Sequence, residues 1–284
     1  MPAVEVVRTG ALSTVQDSGR RGHAALGVGG SGAADRTSYA LANRLLANPE
    51  GAAALEATMG GLVLRARGAV TAAVTGAPCP VEVDGRGAAA DTVLHLPDGA
   101  ELHLGAPPSG LRSYVAVRGG FDVAPVLGSR STDTLAGLGP PPPQEGTVLP
   151  VGPPPRDLPA VDWVPARPFP ERELSLRVVP GPRDDWFDDG ALGVLLSSAY
   201  EVTSRSDRVG ARLSGPALSR RGGGELPSEG MVPGSLQVPP EGRPVLFLAD
   251  HPVTGGYPVI AVVVAADVSR AAQARPGTAL RFHR

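Results

Sequence analysis

Five loop clusters carry the side chains able to do chemistry. The first is Ser13-Thr14-Val15-Gln16-Asp17-Ser18-Gly19-Arg20, which runs on through Gly22 to Gly32. The second is Arg118-Gly119-Gly120-Phe121-Asp122, followed by Gly128-Ser129-Arg130-Ser131-Thr132-Asp133. Glycine lets a ligand approach the backbone amides closely. An arginine beside hydroxyls and amides suits a carboxylate or a phosphate. The third cluster, Ser206-Asp207-Arg208-Val209-Gly210-Ala211-Arg212, sets two arginines beside one carboxylate. Its simplest reading is an internal pair of Asp207 with Arg208 or Arg212. The fourth and fifth are Ser228-Glu229-Gly230 running on to Gln237, and Asp250-His251-Pro252-Val253-Thr254-Gly255-Gly256-Tyr257-Pro258. Each presents a loop carboxylate that can orient a water or act as a base. All five clusters also admit a bland reading, in which glycines make turns and charged groups tie loop atoms together.

Other chemistries lack their residues. The 26 basic residues are all arginine, so no Schiff-base lysine, P-loop lysine or biotin-accepting lysine exists. His23, His95, His103, His251 and His283 show no metal-ligand spacing, and no metal site is expected. There is no Gly-x-Ser-x-Gly elbow. The single Cys79 reads as a small buried hydrophobe. A net charge of −2 gives no electrostatic case for nucleic acid or an anionic membrane. Residues 1–8 lack a basic region followed by a long apolar stretch, so no signal peptide is expected. With one cysteine and no bilayer-length apolar run, the expected compartment is the cytoplasm.

These clusters must be positioned by short strands. Val4 to Arg8, Leu62 to Arg65, Val70 to Thr75, Pro80 to Asp84, Thr92 to Leu96, Glu101 to Leu104 and Ser113 to Val117 are apolar or alternating and bounded by turn residues. Asp84-Gly85 and Asp98-Gly99 are hairpin dipeptides. The pattern returns at Leu174 to Val179, Glu201 to Thr203, Val245 to Leu248, Val259 to Val264 and Ala279 to Phe282. Asp35, Asp189 and Asp267 are expected to cap short helices. Tetraproline and triproline runs mark residues 140–170 as a linker. The 284 residues thus divide into β-rich units at 1–139 and 171–284, and the fold class is mainly β. A turn-then-strand echo, Leu96 to Leu104 against Arg275 to Phe282, hints at a duplication.

Taken in order, these segments resemble one family. Thr14-Val15-Gln16-Asp17 with Gly19-Arg20, Ser31-Gly32-Ala33 with Asp35, Arg118-Gly119-Gly120, and Gly128-Ser129 with Ser131-Thr132-Asp133 carry the first half of the match. Ser206 with Arg208, Gly210 with Arg212-Leu213, Gln237-Val238-Pro239, Asp250 and Thr254-Gly255-Gly256-Tyr257-Pro258 carry the second. The family is the allophanate-hydrolase-subunit-2-like, or biotin-dependent carboxyltransferase, family, which includes the C component of 5-oxoprolinase. Relatives usually carry Ala-Gln-Thr after the aspartate of the last segment, where this chain has His251-Pro252-Val253.

The resemblance implies two cyclophilin-like β-barrel units with a few short helices. It implies a subunit of an ATP-dependent 5-oxoprolinase-type complex that opens 5-oxoproline to glutamate. The implied partners are a subunit-1-like, kinase-inhibitor-like protein and a lactam-utilisation-type subunit. No cofactor is expected on this chain, and ATP and Mg2+ are expected on another subunit. Within the segments that the resemblance marks, residue chemistry nominates Asp250 and Glu229 as catalytic. Gln16, Asp17, Arg20, Arg118, Ser129, Arg130, Ser131, Arg208, Gln237, Thr254 and Tyr257 are nominated to hold a small amide substrate. Two further readings stay open: a biotin-dependent carboxyltransferase acting on urea derivatives, and a non-catalytic protein that binds a kinase-inhibitor-like partner.

Overall fold

The computed structural model describes residues 1–157, 160–169, 172–222 and 226–284. Its chain divides into two compact units. The first holds Met1–Arg20, Ser31–Asp133 and Gly137–Phe169, and the second holds Arg21–Gly30, Thr134–Ala136 and Pro170–Arg284. Neither unit is one continuous stretch, because residues 21–30 and 134–136 group with the second.

The first unit contains β1 (Ala3–Thr9), β2 (Leu12–Gln16), α1 (Arg36–Leu45), β3 (Ala54–Thr58), β4 (Leu62–Arg67), β5 (Val70–Gly76), β6 (Val81–Val83), β7 (Arg86–Ala88), β8 (Val93–Leu96), β9 (Glu101–Leu104), β10 (Arg112–Val117) and β11 (Val148–Pro150). Its strands form a six-stranded sheet, β11-β1-β4-β9-β6-β7, and a five-stranded sheet, β2-β3-β10-β5-β8. One core joins them, with Val4, Val6, Leu64 and Leu102 from the first sheet and Leu55, Val74, Leu96 and Val115 from the second. Cys79 lies in this core, the place expected of a small hydrophobe. On the other face of the five-stranded sheet, Tyr39, Ala42, Leu45 and Leu46 pack against Ala54, Ala73, Tyr114 and Ala116. The sheet is therefore buried on both sides, and every residue of β10 is buried. Asp35 caps α1 as expected, accepting from the amides of Thr37 (3.1 Å) and Ser38 (3.0 Å).

Two local expectations divide here. Asp84-Gly85 makes a true two-residue hairpin: Val83 faces Arg86, and both turn residues have positive φ (50° and 71°). Asp98-Gly99 does not. It carries the chain from β8 in one sheet to β9 in the other, and Asp98 accepts from the Gly68 amide at 2.6 Å. The Pro-rich stretch from 140 to 170 is also more than a linker. It supplies β11, which pairs antiparallel with β1 at the sheet edge, a position where proline costs no ladder bond. Residues 158, 159 and 170 of that stretch lie outside the described residues.

The second unit contains β12 (Glu173–Pro180), α2 (Ala191–Ser197), β13 (Ala199–Val202), β14 (Gly210–Ser214), β15 (Glu229–Gly230), β16 (Ser235–Gln237), β17 (Val245–Phe247), β18 (Thr254–Gly255), β19 (Val259–Val263), α3 (Ala265–Ala271) and β20 (Ala279–His283). Seven strands close a barrel in the order β12-β19-β16-β17-β14-β13-β20, with β12 and β20 parallel. β12 alternates buried and exposed residues, which puts Leu174, Leu176 and Val178 inside. The chain is thus mainly β with a few short helices. Met231, Phe247 and Val259 form a small separate cluster, and β15 pairs with β18 as a separate ribbon.

Helix caps in this unit differ from expectation. α2 begins at Gly190, whose φ of 94° only glycine adopts readily, and not at Asp189. α3 begins after Val264, so Asp267 lies inside its first turn. Its buried carboxylate instead receives the amide, Nε and Nη2 of Arg177 at 2.9, 3.0 and 3.0 Å, which docks α3 on β12. Among the described residues, no helix is long and apolar enough to cross a membrane.

Hydrogen bonds from Arg177, outweighing burial, pull the Asp267 carboxyl down to about 2. A depressed carboxyl adds stability above its unfolded value, about 3.9, and loses it as pH falls toward 2. Asp267→Asn is therefore expected to be less stable than the parent at pH 6, with the gap closing by about pH 2. Urea midpoints measured across that range check this; a gap independent of pH would refute it.

Candidate functional site

Each unit carries its own polar centre. In the first, Asp17 at the end of β2 is 5% exposed and gathers four donors. Its Oδ1 accepts from the Gly19 amide (2.8 Å), Ser129 Oγ (2.7 Å) and Ser131 Oγ (2.6 Å), and its Oδ2 accepts from the Arg130 amide (2.6 Å). The Asp17 amide donates back to Ser131 Oγ at 3.0 Å. Gln16 donates to Thr14 Oγ1 (3.0 Å) and to the Thr132 carbonyl (2.9 Å). Arg20 donates to the carbonyls of Val126 (3.3 Å) and Ser131. Six nominated residues, Gln16, Asp17, Arg20, Ser129, Arg130 and Ser131, thus meet in one network that joins β2 to the 129–132 loop. The buried Gln16 Oε1 and Arg20 Nη1 have no hydrogen-bond partner among the described residues.

Beside this network lies a cleft of about 350 Å³, lined by Gly119, Gly120, Phe121, Asp122, Arg130 and Gly152 among others. Its glycines are required. A Cβ on Gly119 would stand 2.2 Å from the Gly152 carbonyl oxygen. Arg130 reaches this cleft with a side chain that is 35% exposed, held by Asp122 (3.1 Å) and the Val123 carbonyl (2.8 Å). Arg118 does not join the Asp17 network. Its guanidinium donates to the carbonyls of Leu46 (2.9 Å), Pro155 (2.8 Å) and Asp157.

In the second unit, Arg208 and Asp250 form an enclosed pair, with side chains 2% and 0% exposed. Nε reaches Oδ2 at 2.9 Å and Nη2 reaches Oδ1 at 3.1 Å. The Thr134 amide (3.0 Å) and hydroxyl (2.7 Å) donate to Oδ2 as well. Burial opposes ionisation of Asp250, but the Arg208 guanidinium and the two Thr134 donors outweigh it and hold the carboxyl below its usual range. The expected pairing of Asp207 with Arg208 or Arg212 is not made. Asp207 caps the amides of Val209 (2.8 Å) and Gly210 (3.1 Å) instead, a short-range bond that an aspartate makes readily at a turn.

Glu229, Thr254, Gln237 and Tyr257 come together around the β15–β18 ribbon. Glu229 faces Gly255, and Gly230 faces Thr254. Gln237 on β16 donates to the Tyr257 carbonyl at 3.1 Å. A Cβ on Gly255 would lie 2.4 Å from Gln237 Nε2, so a side chain there would require Gln237 to move. Glu229 is partly exposed and paired with Arg183, whose Nε lies at 2.8 Å. Tyr257 is 43% exposed. Among the described residues, no group of three or more His, Cys, Asp or Glu could hold a metal ion.

Sequence reasoning missed Thr134 and Arg183. Thr134 sits one residue beyond the Ser129–Asp133 run and was within reach of that signal. Arg183 lies 46 residues from Glu229, and no local spacing links them.

Removing one partner of a buried pair costs roughly 3–5 kcal/mol, whereas replacing both by apolar groups is often neutral. Asp250→Leu is therefore expected to destabilise strongly, and Arg208→Met combined with Asp250→Leu to recover most of the loss. Chemical denaturation of the single and double variants measures this. A single-variant cost below about 1 kcal/mol would show that the pair does not anchor the loop.

Comparison with known proteins agrees with this architecture. The family model for the carboxyltransferase domain, subdomains A and B, matches residues 26–284. The C component of the 5-oxoprolinase of Escherichia coli (strain K12) is 36% identical over 282 residues, which are 98% of this chain and 90% of that protein. The urea amidolyase of Saccharomyces cerevisiae is 30% identical over 309 residues, 99% of this chain but 16% of that protein. Among solved structures, TTHA0988 matches all of this chain with a TM-score of 0.90 at 37% identity, and this chain spans 56% of it. The urea amidolyase of K. lactis matches 99% of this chain, again with a TM-score of 0.90, at 28% identity and over 18% of its own length. The chain belongs to the carboxyltransferase domain A and B family.

Proposed function

We propose that this chain is one component of an ATP-dependent 5-oxoprolinase-type complex, acting with a subunit-1-like protein and a lactam-utilisation-type subunit. The observation that carries this reading is span. The match runs over 90% of the free-standing E. coli oxoprolinase component but over 16% of the yeast amidolyase. The reaction adds water across the lactam. The ring C–N bond breaks, the water oxygen joins the carbonyl carbon and its protons pass to nitrogen, while a second water takes up the γ-phosphoryl group of ATP to give ADP and phosphate. ATP and Mg2+ are assigned to another subunit.

Within this chain, Arg130 is the nominated arginine best suited to the substrate carboxylate. Its guanidinium is steadied by Asp122 and the Val123 carbonyl yet stays partly exposed at a cleft with glycine walls, whereas Arg208 is enclosed with Asp250 and Arg118 is tied to loop carbonyls. Of the two nominated carboxylates, Glu229 is the better water-orienting group, because it remains partly open. Asp250 has both oxygens engaged by Arg208 and Thr134, so its part is to hold its own loop in place. The competing reading, carboxyl transfer to a urea derivative, draws on the family name and on the urea amidolyase relatives.

The test is reconstitution. Co-expression with the two partner proteins is expected to give glutamate and ADP from 5-oxoproline only when this chain is included. A stable assembly without turnover would overturn the reading in favour of another amide or a regulatory role. Turnover of urea with a biotinylated carrier would overturn it in favour of carboxyl transfer. In an active complex, Arg130→Met is expected to raise KM for 5-oxoproline at least tenfold, on the order of the 1.4 kcal/mol of one charge-assisted contact, with a smaller change in kcat. An unchanged KM would remove Arg130 from the substrate site.

A further inference from the structure

The barrel of the second unit carries a cavity that none of the nominated residues reaches. It measures about 560 Å³ and is lined by Thr203, Arg205, Arg212, Glu241, Arg243 and Val245 among others. That volume falls in the range of small-molecule sites, roughly 300–1,000 Å³. The barrel strands set its shape. On β14, Ala211 and Leu213 are buried, so Arg212 between them points outward. Arg212 is in register with Val245 on β17, and Arg243 lies two residues before Val245 in the β16–β17 connection. The Thr203 amide donates to the Arg212 carbonyl at 2.9 Å, and the Arg212 amide donates to Ser206 Oγ at 3.0 Å. These two bonds fold the turn that carries Arg205 back beside Arg212.

Three guanidiniums thus line one concavity against a single carboxylate, Glu241. Elsewhere on this protein, exposed arginines are commonly paired, as Arg65, Arg67, Arg177, Arg183 and Arg281 are. Among the described residues, Arg205, Arg212 and Arg243 form no ion pair. Unpaired like charges around a concave wall focus a positive potential.

We propose that this cavity binds a small, multiply charged phosphoryl anion, with Arg205, Arg212 and Arg243 as the cationic wall. A planar guanidinium matches two phosphate oxygens at once, and the volume accommodates more than one phosphoryl group. This site is independent of the oxoprolinase reading, because its test needs no turnover.

Calorimetric titration of the full chain with pyrophosphate, inorganic phosphate and citrate, at constant ionic strength, tests it. Pyrophosphate is expected to bind one to one, at least tenfold tighter than citrate and tighter than inorganic phosphate. Arg212→Gln and Arg205→Gln, one on a strand and one in a turn, are each expected to weaken pyrophosphate binding about tenfold. Circular dichroism and the thermal midpoint without ligand should match the parent for whichever variant is scored. No saturable heat at millimolar pyrophosphate, or binding unchanged in both arginine variants, would overturn the proposal. Citrate binding as tightly as pyrophosphate would overturn the phosphoryl assignment.

Discussion

A carboxylate taken out of water must be met donor by donor, and that requirement organises the first unit around Asp17. An unmatched buried charge is too costly to keep. The four donors to Asp17 come from its own turn and from the 129–131 loop, more than a hundred residues away in sequence. Closing that network decides where the loop lies, and with it where Arg130 is presented. The barrel unit solves the same problem with a cation. Asp250 is matched by Arg208 and by both donors of Thr134, which fixes the turn after β17.

The residues that carry the family resemblance are therefore, to a large extent, those that hold loops in place. Asp17, Ser129 and Ser131 face one another, and Arg208 faces Asp250. Arg130, Glu229 and Tyr257, by contrast, keep partly exposed side chains. A precise site on loops needs such a supporting layer, because loop backbone has no ladder of its own to fix it.

What can be read from the sequence follows the same division. Strands with one wet face, such as β9, β12 and β20, alternate visibly, and their pattern marks them close to their true limits. β2 and β3 escape such a reading because nearly every residue in them is buried, so the two-residue period is absent. Their polar members, Thr14, Gln16 and Glu56, look like loop residues until their partners are known. The cap of α1 is legible because Asp35 bonds within three residues. Asp267 misleads for the converse reason: its partner, Arg177, lies 90 residues away. The five clusters are visible in the sequence, yet their internal wiring is not, since a pair such as Arg208 and Asp250 is set by barrel register and not by spacing.

The outer edge of the six-stranded sheet closes with β11. Pro150 ends that strand and has no N–H to offer a further neighbour. Just beyond it, Val151 is bridged to Phe121, and the Pro150 carbonyl already accepts from Asp122. Open edges invite a second copy to add its own strand and begin a fibril. This sheet ends instead in a seam only three residues long, closed by Pro150, so one proline of a stretch that looks like spacer in the sequence helps to keep that edge from templating a further strand.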